Sequence, residues 1–332
     1  MNTIGKILTL TTFGESHGPA MGGVLDGMPS GVDIDMEELQ RFVDRRRTGQ
    51  IAGTSTRDEK DRVEVLSGIW KGKTLGTPIG FIVRNTDARS ADYEEWANCY
   101  RPNHADFTWE TKYGIRDPRG GGRASARETV ARVVAGGIAI QALASLGITI
   151  ETQIVGPRLG VAALDQAIAE ATGDGDTLGG VIECVIKGVP AGLGEPLFGK
   201  LHAQLAAAMM SIPSVHGFEY GDGFDMATKR GSEVMDVFEK REDGTIGTIT
   251  NHSGGIQGGI SNGEDIVMRI AFKPVPTLMR EMPAIDRDGN PVTLKPRGRH
   301  DACVLPRALP IVEAMAALVI LDNYLMKKTN VL

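Results

Sequence analysis

This 332-residue chain has few cysteines, histidines and aromatic residues. These are residues that disulfide frameworks, metal centres and nucleic-acid surfaces need. Its three cysteines, Cys99, Cys184 and Cys303, lie far apart and form no CxxC pair, which predicts reduced thiols in a cytoplasm rather than a disulfide framework. The six histidines form neither HxxxH nor HExxH, so no metal site is expected. Aromatic residues make up only 5% and the net charge is −6, a balance that argues against nucleic acid as the partner.

Long hydrophobic runs are also missing. No apolar stretch is expected to reach membrane-spanning length, and the N-terminus lacks a basic region followed by an apolar stretch with a small-residue cleavage site. Hydrophobic residues at 41% and charged residues at 23% are ordinary for a soluble globular protein. The chain has no low-complexity linker, internal repeat or clear boundary, so the sequence predicts one domain over residues 1–332.

Glycine and grouped arginine are what the chain has in excess. The 43 glycines, many in pairs or triplets, indicate numerous tight turns or close backbone approaches. Three consecutive arginines, Arg45 to Arg47, are joined by others in "RPNHAD", "RDPRGGGR" and "KPRGRHD". An acidic chain that gathers arginine beside glycine and histidine favours a small anionic ligand held in a pocket.

Capping signals place the first helix. Asp35 with Glu38 forms a capping box, and the helix that it opens is expected to end at Gly49. The arginine triplet then falls on the last turn, where cations also complement the helix dipole. Because three adjacent side chains point in three directions, only one or two of these arginines are expected to face a ligand.

Three more helices are expected. Ser125 with Glu128 opens one that Gly147 closes, and its many small residues predict a central position with close packing. Proline in the first turn predicts two others, from Pro196 to about Met210 and from Pro310 to about Met326.

Short apolar or alternating runs between the helices predict strands. Alternation in several of them favours antiparallel sheets with one buried face. Since the strands come in groups rather than strictly between helices, the predicted fold class is α+β rather than a doubly wound sheet. The runs are "RVEVLSGI", "PIGFIVRN", "ITIETQIV", "GVIECVIKGV" and "DIVMRIAFKP".

Polar loops carry the candidate chemistry. The stretch "TTFGESHGPAMGG" has no apolar period and is interpreted as a loop. Its His17 can donate, accept or carry a proton near neutral pH, although a surface turn with an incidental histidine gives the same pattern. "RPNHADFTW" with His104 and "KPRGRHDACV" with Asp301 are two further loops of this kind, and three in one chain favour the functional interpretation.

The run "RGGGRASARE" is the strongest local signal. A glycine run that leads into a helix presents free backbone N–H groups and the positive end of the dipole, which suits an anion. A tight connection gives the same pattern. The run is not a P-loop, because the GK[ST] ending is missing, and "GDGDTLGG" has the wrong spacing for a dinucleotide fingerprint.

Together these segments resemble a known family. "TFGESHG", "RRRTGQ", "RPNHADFTW", "GGGRASARET" and "RGRHDAC" are similar to the signature segments of the chorismate synthase family, in the same order. "GGISNGEDIVMRIAFKP" resembles the family's segment ahead of the last signature. The resemblance runs from about Ile4 to Leu325, essentially the whole chain.

The resemblance implies an enzyme that removes phosphate from 5-enolpyruvylshikimate 3-phosphate by a 1,4-anti elimination and leaves chorismate, the last step of the shikimate pathway to aromatic amino acids. It implies dependence on reduced FMN without net redox change. Some members reduce the flavin with NADPH and others need an outside reductant. It also implies a β-α-β sandwich, with helices between antiparallel sheets, assembled as a homotetramer.

The resemblance further implies roles for residues. The histidine at His17 would protonate the reduced flavin, His104 would assist the departing phosphate, and Asp301 would help flavin N5 act as a base. Substrate anions or NADP would be bound by Arg46, Arg47, Arg101, Arg127 and, for the substrate, Arg299. FMN would be bound by Arg123, Ala124, Ser125, Pro213, Ser214, Gly258, Lys273, Pro274, Val275, Pro276, Thr277 and Arg299.

Some positions depart from the family pattern. Thr48 and Ala302 each replace a usual proline, which mainly restricts a loop, so both are expected to be tolerated. "KPVPT" stands where the family generally has hydroxyl residues after Lys-Pro, which leaves only Thr277 and implies mostly backbone contact with FMN. Ala52 replaces a basic residue associated with nucleotide or substrate binding, so a dinucleotide contact is not expected beyond Arg46.

Two other functions remain open. A flavin-free phosphate lyase or hydrolase would use the same arginine pocket and turn over without reduced FMN. An RNA-binding protein would use Arg45 to Arg47 and bind single strands with a steep salt dependence, which the acidic balance and the few aromatic residues disfavour.

Overall fold

The computed structural model describes residues 1–47, 60–86, 96–156, 161–294 and 301–330. Within this part of the chain, helical and extended segments alternate in groups, as predicted for a mixed α and β protein. The α-helices are α1 (Met36–Asp44), α2 (Asp106–Tyr113), α3 (Thr129–Ala144), α4 (Val161–Gly173), α5 (Leu201–Met210) and α6 (Leu305–Lys327).

Two larger antiparallel sheets hold nine of the eighteen described strands. The first has the order β1 (Thr3–Ile4), β2 (Thr9–Gly14), β3 (Ala20–Asp26), β7 (Ile79–Arg84) and β4 (Val63–Val65). The second has the order β11 (Val215–Tyr220), β16 (Ile266–Phe272), β10 (Gly180–Lys187) and β9 (Thr149–Val155). All five runs predicted as strands contain strands, and their pairing is antiparallel as expected.

Smaller sheets complete the described part. A three-stranded sheet has the order β18 (Pro291–Leu294), β17 (Met282–Asp286) and β8 (Cys99–Tyr100). Three hairpins pair β5 (Ile69–Trp70) with β6 (Lys73–Thr74), β12 (Phe238–Lys240) with β13 (Ile246–Thr248), and β14 (Ile256–Gln257) with β15 (Ile260–Ser261).

Helices α3 and α6 form the centre of the main core. Helix α3 packs on β2, β3 and β7 of the first sheet, α6 packs on β9 and β10 of the second, and the two helices pack on each other. Small residues allow this contact, since a Cβ at Gly136 would lie 2.2 Å from the Ala314 Cβ. The predicted central position of α3 is therefore confirmed.

The start of α1 confirms its predicted cap but not the whole capping box. The Asp35 carboxylate accepts hydrogen bonds from the N–H groups of Glu37 at 2.8 Å and Glu38 at 3.0 Å. The Asp35 N–H donates to Gln141 Oε1 at 2.7 Å, so a residue of α3 takes the place predicted for the Glu38 side chain. The helix ends at Asp44, before the predicted Gly49, and the arginine triplet follows its last turn.

Three other predicted helix starts are wrong. Helix α3 begins at Thr129, because two 3-10 turns, Gly122–Ala124 and Ala126–Glu128, precede it. Helix α5 begins at Leu201 rather than Pro196. Helix α6 begins at Leu305, so Pro306 occupies its first turn and Pro310 lies inside it. Proline therefore did not identify the first turn: α5 has no proline in its first turn, and α6 has one proline there and another inside the helix.

The expectation about apolar length is also wrong for α6. Its 23 residues are long and apolar enough to cross a membrane by length and composition. However, 78% of its most apolar stretch is buried inside the protein, as expected of a core helix. Asp322 of this helix is buried. Three backbone N–H groups, of Lys6, Ile7 and Leu8, stabilise its carboxylate by donating hydrogen bonds to it at 2.8–3.0 Å.

Strands replace most of the loop predicted at residues 11–23. Only the short turn between β2 and β3 remains irregular. The sequence did not predict Gly22 and Gly23 as strand residues, because glycine has no side chain and so contributes nothing to the alternation of apolar and polar residues that indicates a strand. Their role is steric: a Cβ at Gly22 would lie 2.5 Å from the Phe13 ring, and one at Gly23 would lie 2.7 Å from the Phe81 ring.

Candidate active site

His17 lies in the turn between β2 and β3. The N–H of Gly18 donates to the Glu15 carbonyl at 3.0 Å, which closes the turn. The Ser16 hydroxyl donates toward the Gly120 carbonyl at 3.2 Å and lies 3.1 Å from His17 Nδ1. When the single hydrogen of that hydroxyl is donated to the Gly120 carbonyl, Nδ1 carries the N–H of the neutral ring. The other ring nitrogen, Nε2, is then the one that can accept a proton.

The glycine run Gly120–Gly122 packs directly on this turn. All three residues have positive φ. A Cβ at Gly120 would lie 2.0 Å from the His17 ring, and one at Gly122 would lie 2.7 Å from a Glu15 carboxylate oxygen. Glycine is thus required at Gly120, where the His17 ring blocks a Cβ, whereas at Gly122 the Glu15 carboxylate can move and the positive φ is what favours glycine. Two of the predicted loops, distant in sequence, meet here.

The predicted helix N-terminus is not an open anion site. The N–H groups of Gly122, Ala124 and Ser125 all donate to carbonyl groups of the preceding turn. The Arg123 N–H donates to the Glu15 carboxylate, whose pKa burial raises. The 3-10 turns that come before α3 close these bonds, so the tight connection describes the backbone better than the open anion site.

The Arg123 side chain keeps a feature suited to an anion. Its Nη2 donates to Thr12 Oγ1 at 2.7 Å, whereas its Nη1 is buried with no hydrogen-bond partner among the described residues. Arg123, Ala124 and Pro213 line a cavity of about 410 Å³, together with Arg132. A buried guanidinium N–H without a partner is costly, which favours an anionic ligand at this place.

His104 lies in a separate loop, before α2. Its Nδ1 lies 2.9 Å from the Pro102 carbonyl, which can only accept, so Nδ1 again carries the N–H. Its Nε2 accepts from the Thr277 hydroxyl at 3.2 Å. Lys273 Nζ donates to the Asn103 carbonyl at 3.0 Å, so the predicted segment 273–277 closes over this loop.

Burial and cations keep His104 neutral. Desolvation of the ring, followed in importance by the Arg101 guanidinium, lowers the pKa of His104 to about 4. Arg101 itself is held by Asp106, to which its Nε and Nη2 donate at 2.8 Å each. Asp106 also accepts from Arg116 at 3.4 Å, so this single carboxylate serves two guanidinium groups.

The three arginines of the triplet point in different directions, as predicted. Arg45 donates to both oxygens of the buried Glu313, at 2.6 and 2.8 Å. Arg46 is only 2% exposed and donates to Thr129 Oγ1 at 2.9 Å. Burial, and next the nearby Arg307, lower the pKa of Arg46 to about 9. Arg47 lies 3.7 Å from the Asp44 carboxylate.

A buried carboxylate joins two of the predicted anion-binding arginines. Asp61 accepts from Arg46 Nη1 at 3.3 Å and from Arg127 Nη1 at 2.5 Å. Arg307 extends this network, because its Nε donates to the Arg46 carbonyl at 3.0 Å and its Nη1 donates to Asp301. Residues far apart in the sequence thereby connect Asp301 to Arg127.

The predicted flavin segments meet in part. The Lys273 N–H donates to the Ser214 carbonyl at 2.8 Å, and Ser214 has a φ of +73°. Pro213 and Ser214 share a small cavity of about 50 Å³ with Arg46, Asp301 and Arg307.

Two predicted flavin positions stand apart from this cluster. Gly258 lies in the β14–β15 turn with a φ of +63°, and no hydrogen bond within the described chain joins it to the other flavin segments. Arg299 lies outside the described residues, as do Thr48 and Ala52.

Sequence reasoning missed three residues that contact the predicted arginines: Asp61 and Asn85 accept from Arg127, and Arg307 donates to the Arg46 carbonyl. None of them stands in a glycine-rich or arginine-rich stretch, so no local pattern marks them. One signal was available. A buried arginine needs a carboxylate partner, so the grouped arginines indicated that carboxylates such as Asp61 would be buried beside them.

The described residues thus combine several buried arginines with two histidines whose Nδ1 lies beside an oxygen, an arrangement that suits proton transfer on an anionic substrate. A family model described as chorismate synthase matches residues 8–325. The chain is 53% identical to chorismate synthase of Parabacteroides distasonis over 356 aligned positions, covering 99% of each. It is 49% identical to that of Chloroflexus aurantiacus, over 98% of this chain and 96% of the relative.

A solved structure agrees with these relatives. A crystal structure of chorismate synthase matches with a TM-score of 0.77 and 31% identity, over 98% of this chain and 93% of the other. The chain belongs to the chorismate synthase family.

Proposed function

We propose that this protein converts 5-enolpyruvylshikimate 3-phosphate into chorismate and phosphate by 1,4-anti elimination, as a carbon–oxygen lyase. The observation that carries the proposal is the meeting of signature segments that lie far apart in the sequence. The His17 turn packs on Gly120–Gly122, and Arg127 is joined to Asp301 through Asp61, Arg46 and Arg307.

The residues present fit reduced FMN. The buried Nη1 of Arg123 needs an acceptor, and the adjoining cavity includes Ala124 and Pro213. Bound FMN would supply transient electron density to the substrate and a base for its C6 proton. Residues that would hold it are Arg123 to Ser125, Pro213, Ser214, Gly258, Lys273 to Thr277 and Arg299. The Thr277 hydroxyl donates to His104 Nε2, so Thr277 would contribute to flavin binding through its backbone.

His104 serves the departing phosphate. The ring is neutral in the free protein at pH 7, because its pKa is lowered to about 4. A phosphate dianion close to Nε2 favours the protonated ring, which then donates to the leaving oxygen. The proton would be held on Nε2, the ring nitrogen that lies 3.2 Å from the Thr277 hydroxyl.

His17 carries the second proton. Ser16 would orient the ring by accepting from Nδ1, so that Nε2 would be the atom that holds the proton toward bound flavin. Substrate anions bind to Arg47, Arg101, Arg127 and Arg299. Arg46 supports Arg127 through Asp61 rather than contacting NADP, because its guanidinium is buried and bonded to three protein groups.

Assembly and setting follow the family. The packing of α3 and α6 between the two larger sheets supports a β-α-β sandwich formed by one domain. We propose a cytoplasmic homotetramer, with NADPH or an outside reductase as the source of reduced flavin.

An anaerobic assay tests the proposal. Phosphate and chorismate are measured together with photoreduced FMN, with oxidised FMN and without flavin. Equal amounts of both products, formed only with reduced FMN, are expected. Phosphate release without flavin would instead establish a flavin-free lyase or hydrolase. No product in any arm, with steeply salt-dependent binding to single-stranded RNA, would establish the RNA-binding alternative.

A further inference from the structure

Asn85 follows strand β7 and contacts both ends of the His17 turn. Its backbone N–H donates to the Pro19 carbonyl at 3.1 Å. Its side-chain Nδ2 donates to the carbonyl oxygens of Glu15 at 3.0 Å and Gly18 at 2.8 Å. These two carbonyls bracket His17, so a single amide fixes the turn that carries it.

The other end of the same amide contacts Arg127. Asn85 Oδ1 accepts from Arg127 Nε at 2.9 Å, while Arg127 Nη1 donates to the buried Asp61 at 2.5 Å. A donor faces Oδ1 and two acceptors face Nδ2, so only one orientation of the amide satisfies all three contacts. The placement of a buried cation is thereby transmitted to the His17 turn.

We propose that Asn85 is a positioning residue that couples Arg127 to His17. The proposal rests on the proposed function, because it takes Arg127 as a substrate-binding residue and His17 as a carrier of the catalytic proton. Asn85 touches neither reactant and acts through its two neighbours. A misplacement of about 1 Å in such a group costs on the order of 10²-fold in rate, which sets the scale of the expected effect.

The variant Asn85→Asp separates the two ends of the amide. It keeps an acceptor for Arg127 but places a carboxylate oxygen against the Glu15 and Gly18 carbonyls. We expect kcat to fall roughly 10- to 100-fold, with KM changed by less than about threefold, because Arg127 stays in place. In contrast, Asn85→Ala removes both ends, and KM should rise as well.

Gln141→Glu is the matched control. The Gln141 amide also bridges a backbone N–H and a backbone carbonyl, both of Asp35, at 2.7 and 3.0 Å. The substitution likewise keeps an acceptor and loses a donor, at the start of α1. Its kcat should equal that of the wild type. An equal kcat for Asn85→Asp and Gln141→Glu would overturn the positioning role.

A double-mutant cycle distinguishes positioning from a general structural effect. If Asn85 acts through His17, adding Asn85→Asp to His17→Ala should lower kcat by less than about twofold further. Fully additive losses would contradict the coupling. Should Asn85→Asp not fold, Asn85→Ser, which keeps one donor, enters the same cycle with the same two outcomes.

The wild-type arm separates this inference from the proposed function. Absence of chorismate from the wild type with reduced FMN would overturn the proposed function itself. Wild-type turnover with an unaffected Asn85→Asp variant would overturn only the role of Asn85.

Discussion

The His17 turn and the His104 loop present the same side chain in opposite electrostatic surroundings. His17 lies near carboxylates: its ring contributes to the lowered pKa of Asp117, after the larger effect of the Arg119 hydrogen bond. His104 is buried near Arg101 and Lys273, which together with desolvation keep its ring neutral. The two rings thus differ in their neighbours: a carboxylate lies near His17, whereas burial beside cations keeps His104 neutral.

The two regions nevertheless share one device. In each, a local oxygen accepts from Nδ1–H, from Ser16 at His17 and from the Pro102 carbonyl at His104. With Nδ1 carrying the N–H, Nε2 is the nitrogen of each neutral ring that can accept a proton. The two rings therefore differ in their surroundings rather than in their tautomer.

Removal of either ring is expected to give the largest effect. His17→Ala and His104→Ala should each lower kcat by ~10²-fold or more, because general acid catalysis contributes ~10²–10⁴-fold. Circular dichroism and thermal melts check that the fold is retained. Near-normal turnover by either variant would show that its ring handles no catalytic proton.

Acid titration of stability sharpens the contrast at His104. The unfolded ring takes up a proton near its ordinary pKa of 6.5, whereas the folded ring does so only near pH 4. Acidification between these values therefore favours the unfolded state, by about 3 kcal/mol in total. The free energy of unfolding of His104→Gln should fall less than that of the wild type between pH 6.5 and 4. Parallel curves would contradict the buried neutral ring.

A methyl group at Gly120 tests the steric fit on the other side. Its Cβ would lie 2.0 Å from the His17 ring, so Gly120→Ala should displace the ring and lower kcat roughly 10- to 100-fold. Gly114→Ala is the control, because Gly114 has a similarly positive φ but nothing within 4 Å of an added Cβ. Both variants carry the backbone strain, and only Gly120→Ala should lose turnover.

The smallest effect is expected at Ser125. Its hydroxyl accepts from the Arg127 N–H at 3.3 Å at the start of a 3-10 turn, so Ser125→Ala should cost up to about 1 kcal/mol of stability. Ser125→Asp should keep this cap but place a negative charge beside the flavin site, and so weaken FMN binding. Thermal melts and flavin fluorescence titration measure the two effects. Full FMN affinity in Ser125→Asp would exclude this position from the flavin site.

The sequence predicted contacts that depend on local patterns. Asp35 capped α1 as expected, and the strand runs paired as antiparallel sheets, because caps and alternation are local properties. Contacts made across the fold were not predictable. Asp61 and Asn85 hold Arg127 from separate elements, and Gln141 of α3 took the role expected of Glu38.

Helix α6 shows another limit of sequence reasoning. It is buried on nearly all sides, so its residues show no apolar stripe from which its start at Leu305 could be placed. The glycine run shows the same limit. The sequence left an anion site and a tight connection open, and only the tertiary structure shows that the His17 turn packs beside the run.

Proton uptake on substrate binding tests most directly whether His104 becomes protonated when the substrate phosphate binds beside it. Calorimetric titration with 5-enolpyruvylshikimate 3-phosphate at pH 5.5, with oxidised FMN present, is repeated in two buffers of different ionisation enthalpy and gives the number of protons bound. Because the free ring is neutral above about pH 4, the wild type should take up close to one proton more (~1) than His104→Gln. Equal uptake by both proteins would contradict the assignment of His104 to the phosphate.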